Sequence, residues 1–461
     1  MARKMVNREN LEGLGIRRLA EILLELGEED AEIKRRLRLE LASEAGADVV
    51  AADIAKCLVT LRRARSFIEW PKRRSFVKDI DRQREMITTK VAETRPDLAL
   101  DLMWRFMELA EPTLNRIDDS HGDVSDVFRQ ACRDLGAIAV RASPDPIRLA
   151  DRVFDAVTTN DYGEYDQVVR SVFPALKEAG TARLKSRLST ALAEQPESND
   201  RYDFKAAALK RALQDIADGE GDVDAYMAQE SATSGKSPRV AAEIANRLLA
   251  AGRAQEAHAV LKEGSPMPGG YSVIDWEQAW VEVLLATDRG DEAQDFRWHC
   301  FEHRLDASHL RDYLKGLPDF EDVLAEEKAL DHALTFPHFT TALAFLIEWK
   351  EQRYAARLVL ECSAEIDGNA YCILDPAAKT LESAHPLAAT LLRRAMIEDT
   401  LKGVKSKRYR HAARHILECH ALDPIMEDYA AFENHDAFVE RIRANHGRKT
   451  GFWSRVAERT G

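Results

Sequence analysis

The chain has 461 residues, 45% hydrophobic and 7% aromatic, with 22 glycines, 15 prolines and a formal net charge of −13. That leaves room for two to four ordinary domains or one long solenoid, and it is a poor composition for a sheet-rich enzyme. No run of 18 apolar residues is present, which excludes a helical membrane span, and the charged residues after Met1 give no apolar leader core. The six cysteines form no Cys-x-x-Cys pair; five of them fall in segments that read as helix and are expected to act as small buried hydrophobes in a reducing, cytoplasmic protein.

Leu11, Leu14, Leu19, Ile22, Leu23 and Leu26 recur at helical spacing and predict a first helix from near Asn10 that Gly27 stops. A second helix is expected over 30–41, with Ile33, Leu37 and Leu41 on one face and Lys34, Arg35, Arg36 and Arg38 mostly on the other. A third runs from about Ala47 to Phe67, and a fourth from Arg74 past Ile87 after the break at Pro71. Segments 97–110 and 123–141 form the next pair, joined by a polar turn at 118–122. Ser143-Pro144-Asp145-Pro146 punctuates the chain before a helix over 147–157, and two more helices fill 165–193. A polar stretch at 195–200 then divides an N-terminal region, 1–195, from a C-terminal one, 200–461. No segment alternates with period two between hairpin turns, so no strand is expected.

Past residue 200, Glu256-Ala257 and Glu292-Ala293 follow short turns and stand 36 residues apart. That is close to the ~34-residue tetratricopeptide period, in which a small residue lets paired helices approach. Trp276, Trp280, Phe296, Trp298 and Phe301 read as packing between hairpins, with an aromatic ligand groove as the alternative. The loop at 264–270 is either a connector or the edge of a binding surface. Further on, Arg353-Tyr354-Ala355-Ala356-Arg357 with Leu360-Glu361-Cys362 is repeated as Arg408-Tyr409 with Ala412-Ala413-Arg414 and Leu417-Glu418-Cys419. Self-similarity of this kind marks stacked helical hairpins, none of which buries its apolar face alone. The alanines are expected to let helices approach, and the Leu and Cys to face the neighbouring hairpin. The second copy differs by Arg410, His411 and His415. The expected fold is all-α, an α-α superhelix (solenoid) of hairpins, tetratricopeptide-like in its C-terminal half.

The run Arg17 to Leu26, then Lys34 to Glu40, Arg65 to Trp70, and Trp104-Arg105-Phe106 before Asp118-Asp119-Ser120 resemble an uncharacterised family of bacterial all-helical proteins. Segments 201–226 and 411–453 are similar to the region downstream of the finger in SWIM-type zinc-finger proteins. The finger itself, a Cys-x-Cys pair followed by Cys-x-His, is missing. The resemblance therefore implies helical repeats and transfers no catalytic, cofactor or nucleic-acid-binding residue.

Charge is uneven: residues 1–100 carry +3 and 401–461 carry +4, while the long middle is acidic. A polyanion would bind at these ends. Arg62, Arg63, Arg65, Lys72, Arg73 and Arg74 interleave with Phe67, Trp70 and Phe76, the composition that neutralises phosphates and stacks bases. The bland reading is a solvated face paired with Asp79, Asp81 and Glu85. The tail offers Lys405, Lys407, Arg408, Arg448 and Lys449, with Phe452 and Trp453 read as exposed. His411, His415 and Cys419 at i, i+4 and i+8 are the best metal-like set, but three ligands over two turns make a long stripe, and His299, Cys300 and His303 are weaker still. The acidic run Asp218, Glu220, Asp222 and Asp224 lacks the glycine and glutamate that a calcium loop needs at its sixth and twelfth positions. Asp118-Asp119-Ser120-His121 holds its residues too close together in sequence for a triad. No cofactor, metal or catalytic set is expected. A protein-interaction scaffold for a protein or peptide partner follows, with nucleic-acid association through the basic ends as the alternative.

Overall fold

The computed structural model describes residues 6–29, 33–34, 37, 46–195, 204–230, 237–266, 274–403, 405–426 and 428–460. The helix expected over 30–41, the segment 201–203 and the tip of the 264–270 loop lie largely outside these residues. Among the described residues every regular element is helical and no strand occurs. A single parallel bridge links Ile68 and Ile117, with the Ile68 amide donating to the Arg116 carbonyl at 2.9 Å. The chain divides into two compact units, Met1–Arg253 and Ala254–Gly461. Phe204–Glu220 packs directly on Val168–Ala193.

In the first unit the early helix does not stop at Gly27. It runs Ile16–Glu29, with Gly27 buried where Leu37 covers it. Ala47–Arg63 buries Val50, Ile54, Leu58 and Leu61, the i, i+4, i+8, i+11 face its sequence draws. Trp70–Met86 then continues into a wide five-residue turn, Ile87–Val91, which rests on Ala47–Arg63. Pro96–Met107, Asp123–Ala142 and Pro146–Thr158 supply the thickest core, around Phe106, Phe128, Met103 and Leu135. Asp145 caps the last of these by accepting from the Arg148 amide at 2.8 Å, with Pro146 in the first turn where no donor is needed. Val168–Ala193 kinks beyond Pro174, at Lys177, which gives the two pieces the sequence predicts. Gly136 permits a close crossing, since a Cβ there would lie 2.2 Å from the Ser171 carbonyl oxygen.

The acidic run at 218–224 is a paired turn. Asp222 caps Val223–Met227, Asp218 holds Arg247 at 2.5 and 2.8 Å, Glu220 holds Lys185, and Asp224 holds Arg253. Asp118 and Asp119 likewise serve the turn before Asp123–Ala142, with Asp119 accepting from the amides of Val124 and Ser125.

In the second unit helices pack on the next and often the next but one: Phe339–Glu348 meets both Gln352–Glu361 and Tyr371–Leu381. Pro386–Lys402 touches the helices of both repeat copies, Gln352–Glu361 and Tyr409–Leu422. The paired alanines are buried in both copies, as expected. The leucine of the triplet is not: Leu360 is exposed and Leu417 half-buried. The inward positions are Leu358 and Val359 in the first copy and His415 and Ile416 in the second. Aligned on their Leu-Glu-Cys triplets, the copies therefore set a buried His415 where the first has a buried Leu358.

Candidate functional site

The N-terminal basic cluster divides by burial. Arg73 points inward, four and seven residues before the inward Val77 and Ile80. It is almost fully buried, donates to Asp123 at 2.9 Å, lies 3.5 Å from Asp119, and stacks on Trp70. It is a structural pair and no docking residue. Arg62 donates to Glu108 at 2.9 Å. Asp81 and Glu85 are occupied by Arg84 and do not neutralise the cluster. Arg63, Arg65, Lys72 and Arg74 remain exposed, with no ion pair among the described residues. Phe67 and Trp70, 58% and 60% exposed, stand in the same segment.

Beside them sits a residue the sequence reading passed over. Arg116 lines a cleft of about 380 Å³ with Arg62, Arg65, Glu108, Glu111 and Asn115. It is buried, donates to the Ser66 carbonyl at 3.2 Å and lies over Phe76. Its Nε finds no acceptor, and burial pulls its pKa below the usual range. The bridge at Ile68 and Ile117 fixes this loop pair, so Arg62, Arg65 and Arg116 are held on one opening. Only the distant pairing of 64–68 with 115–117 would have revealed it.

The C-terminal set is less open. Lys405 binds Asp399 and Asn369, and Arg408 also reaches Asn369, at 3.1 Å. Lys407 and Arg448 are exposed and Lys449 is half-buried, without an ion pair among the described residues. Phe452 is fully buried against Tyr409, contrary to its expected exposure, and Trp453 donates to the His446 carbonyl.

His411, His415 and Cys419 do not assemble as ligands. Cys419 is buried with its thiol toward the Thr390 carbonyl, and burial pushes its pKa up to about 12. The His411 ring packs edge-on to Tyr371. His415 is fully buried and clamped from both sides: Tyr371 Oη lies 2.8 Å from Nε2 and Glu418 Oε2 lies 2.9 Å from Nδ1. Glu418 in turn accepts from Arg393, and Asp375 accepts from Arg414. A neutral imidazole donating to Glu418 and accepting from Tyr371 satisfies every partner. Burial pulls the pKa of His415 below its ordinary value, against the opposing pull of Glu418.

A different set does converge. Glu277 on Ile274–Ala286, Cys300 on Gly290–Arg304 and His309 on Ala307–Lys315 bring their ligand-type atoms within 4.8 Å of one another. His309 Nε2 lies 3.2 Å from Glu277 Oε2, which also accepts from Arg304 at 2.7 Å. Hydrogen bonding to Cys300 and Glu277 holds the imidazole pKa up at about 9. The sequence reading paired Cys300 with His299 and His303, its neighbours along the helix. Those two rings meet at a tilt, and His303 bonds the His299 carbonyl. The readable signal was Glu277 itself, a carboxylate on the buried face of Val281 and Leu284.

Among protein families, the chain matches over residues 1–455 a family described as of unknown function, DUF6880. No curated protein matches it, and no solved structure does.

Proposed function

The chain belongs to that family of unknown function, which lends it no activity, and from its own geometry we propose a non-enzymatic interaction scaffold for an acidic protein or peptide. Its helices would stack as an α-α superhelix, tetratricopeptide-like in the C-terminal half. Packing of helices on the next and next but one in the second unit supports that arrangement. No described helix is long and apolar enough to cross a membrane, and we place the protein in the cytoplasm.

One observation carries the partner reading: exposed Phe67 and Trp70 lie among Arg63, Arg65, Lys72 and Arg74, none of them neutralised by a described residue. Aromatic and arginine side chains dominate the energetics of protein interfaces, and unpaired cations select an acidic counterpart. A second apolar group, Phe320, Val323 and Leu324, is also exposed, with Phe320 held at φ 71°. Affinity capture from the native host at moderate salt tests this. The R63E/R65E/K72E/R74E variant should lose a protein that the wild type retains, with its own melting temperature unchanged. Equal capture by both chains overturns the reading.

The Arg116 cleft favours a second reading, nucleic-acid association through phosphate. Binding to single- and double-stranded probes should then fall steeply with salt and drop in R62E/R65E. Absent or salt-insensitive binding eliminates it.

A further inference from the structure

We propose that Glu277, Cys300 and His309 form a three-ligand site for a zinc-class divalent ion. The site stands apart from the partner reading and needs none of the residues that carry it. Thiolate, imidazole and carboxylate are the donors such an ion takes, at about 2.3, 2.0–2.1 and 2.0–2.2 Å. Around a tetrahedral ion those bond lengths set donor atoms about 3.4–3.6 Å apart. The Glu277–His309 pair already stands at 3.2 Å and all three atoms fall within 4.8 Å. Closing on an ion therefore asks these atoms to change their separations by about 1 Å. No other group of three or more such side chains converges among the described residues.

The local fold holds this convergence in place. Gly290–Arg304 ends in Leu305, a buried non-glycine residue at φ 54° whose amide closes on the Phe301 carbonyl at 2.6 Å. A left-handed leucine is uncommon and costs conformational energy, so burial must hold it there. Asp306 follows at once as the cap of the next helix, accepting from the amides of Ser308 and His309. This two-residue reversal turns His309 back onto the helix that carries Cys300. Arg304, the last residue before the turn, fixes the Glu277 carboxylate, as outer hydrogen bonds orient metal-binding carboxylates. Phe296 meets the His309 ring edge-on, and Trp276 meets Phe296. That wall keeps the surroundings apolar and strengthens every electrostatic attraction within. Three protein ligands leave the fourth position for water, the open arrangement of reactive zinc sites.

The test uses the full chain, stripped with a chelator, and Zn²⁺ itself titrated against a chromogenic competitor, with Co²⁺ as the coloured substitute. One ion per chain should bind, and Co²⁺ should give a thiolate-to-metal charge-transfer band in the near ultraviolet. C300S should abolish that band, and E277Q and H309Q should each weaken Zn²⁺ by tenfold or more. C372S and the double variant H299Q/H303Q should bind as wild type. Far-UV circular dichroism of each stripped variant reports folding, and if C300S loses helicity, E277Q and H309Q decide by the same band. Absence of uptake, uptake that survives C300S, or uptake lost in H299Q/H303Q overturns the site.

Discussion

Replacing His415 with leucine makes the second repeat copy match the first, where Leu358 occupies the same buried position. The change removes hydrogen bonds to Tyr371 and Glu418, each worth about 0.5–1.5 kcal/mol net. It also buries a leucine side chain, which returns about 1.5–3 kcal/mol. At pH 7.5 the two nearly cancel, and the variant should lie within about 1–2 kcal/mol of wild type. Acid separates them. Burial depresses the His415 pKa, with Glu418, Asp375 and Arg414 as the charged groups around it. A depressed pKa means the unfolded chain binds the proton first as pH falls. The stability His415 contributes is therefore present above its unfolded pKa, about 6.5, and lost as pH drops toward the folded value. At pH 5.5 that loss reaches at most about 1.4 kcal/mol. Urea denaturation of both chains at pH 7.5 and 5.5, followed by circular dichroism, should show H415L gaining on wild type in acid. Identical pH dependence in the two chains would refute a buried neutral imidazole.

Three further outcomes follow from packing and burial. Gly136→Ala should destabilise by about 1–3 kcal/mol, because its Cβ meets the Ser171 backbone, which cannot step aside. Gly290→Ala, with open space around it, should instead gain about 0.4–1 kcal/mol, and thermal melts of the two check the contrast. Arg73→Ala should cost about 1–3 kcal/mol by removing a buried guanidinium that bonds Asp123 and pairs with Asp119, whereas Arg74→Ala should leave the melt unchanged. Iodoacetamide on the native chain should label exposed Cys372 readily and spare Cys132 and Cys419, whose buried thiols are pushed up to about 12. Rapid native labelling of Cys419 would contradict its burial.

Helices were legible because a 3.6-residue period survives in the order of apolar side chains, as at Val50, Ile54 and Leu58. Even single inward charges leave a trace: Arg73 shares a face with Val77 and Ile80, Glu277 with Val281 and Leu284. Partnerships between helices leave none. Cys300 was read with His299 and His303, one and three residues away, but its partners stand 23 residues before it and 9 after it. They meet only because Leu305 takes a left-handed conformation that no pattern of leucines announces. The substitution of His415 for Leu358 could be read by laying one copy on the other. Its clamp, Tyr371, lies 44 residues upstream and had no reason to be chosen.

Pro386–Lys402 has a consequence for cutting this protein into pieces. No residue from His385 to Leu401 is exposed, and Arg393 and Arg394 are themselves buried within it. A helix wrapped on every side cannot serve as a terminus. A fragment that stops at Lys402 would bare Arg393 with its partner Glu418 missing. One that begins at Pro386 would bare the side that rested on the first copy. Each copy thus completes the cover of this helix, and a fragment carrying only one of them leaves part of that cover missing.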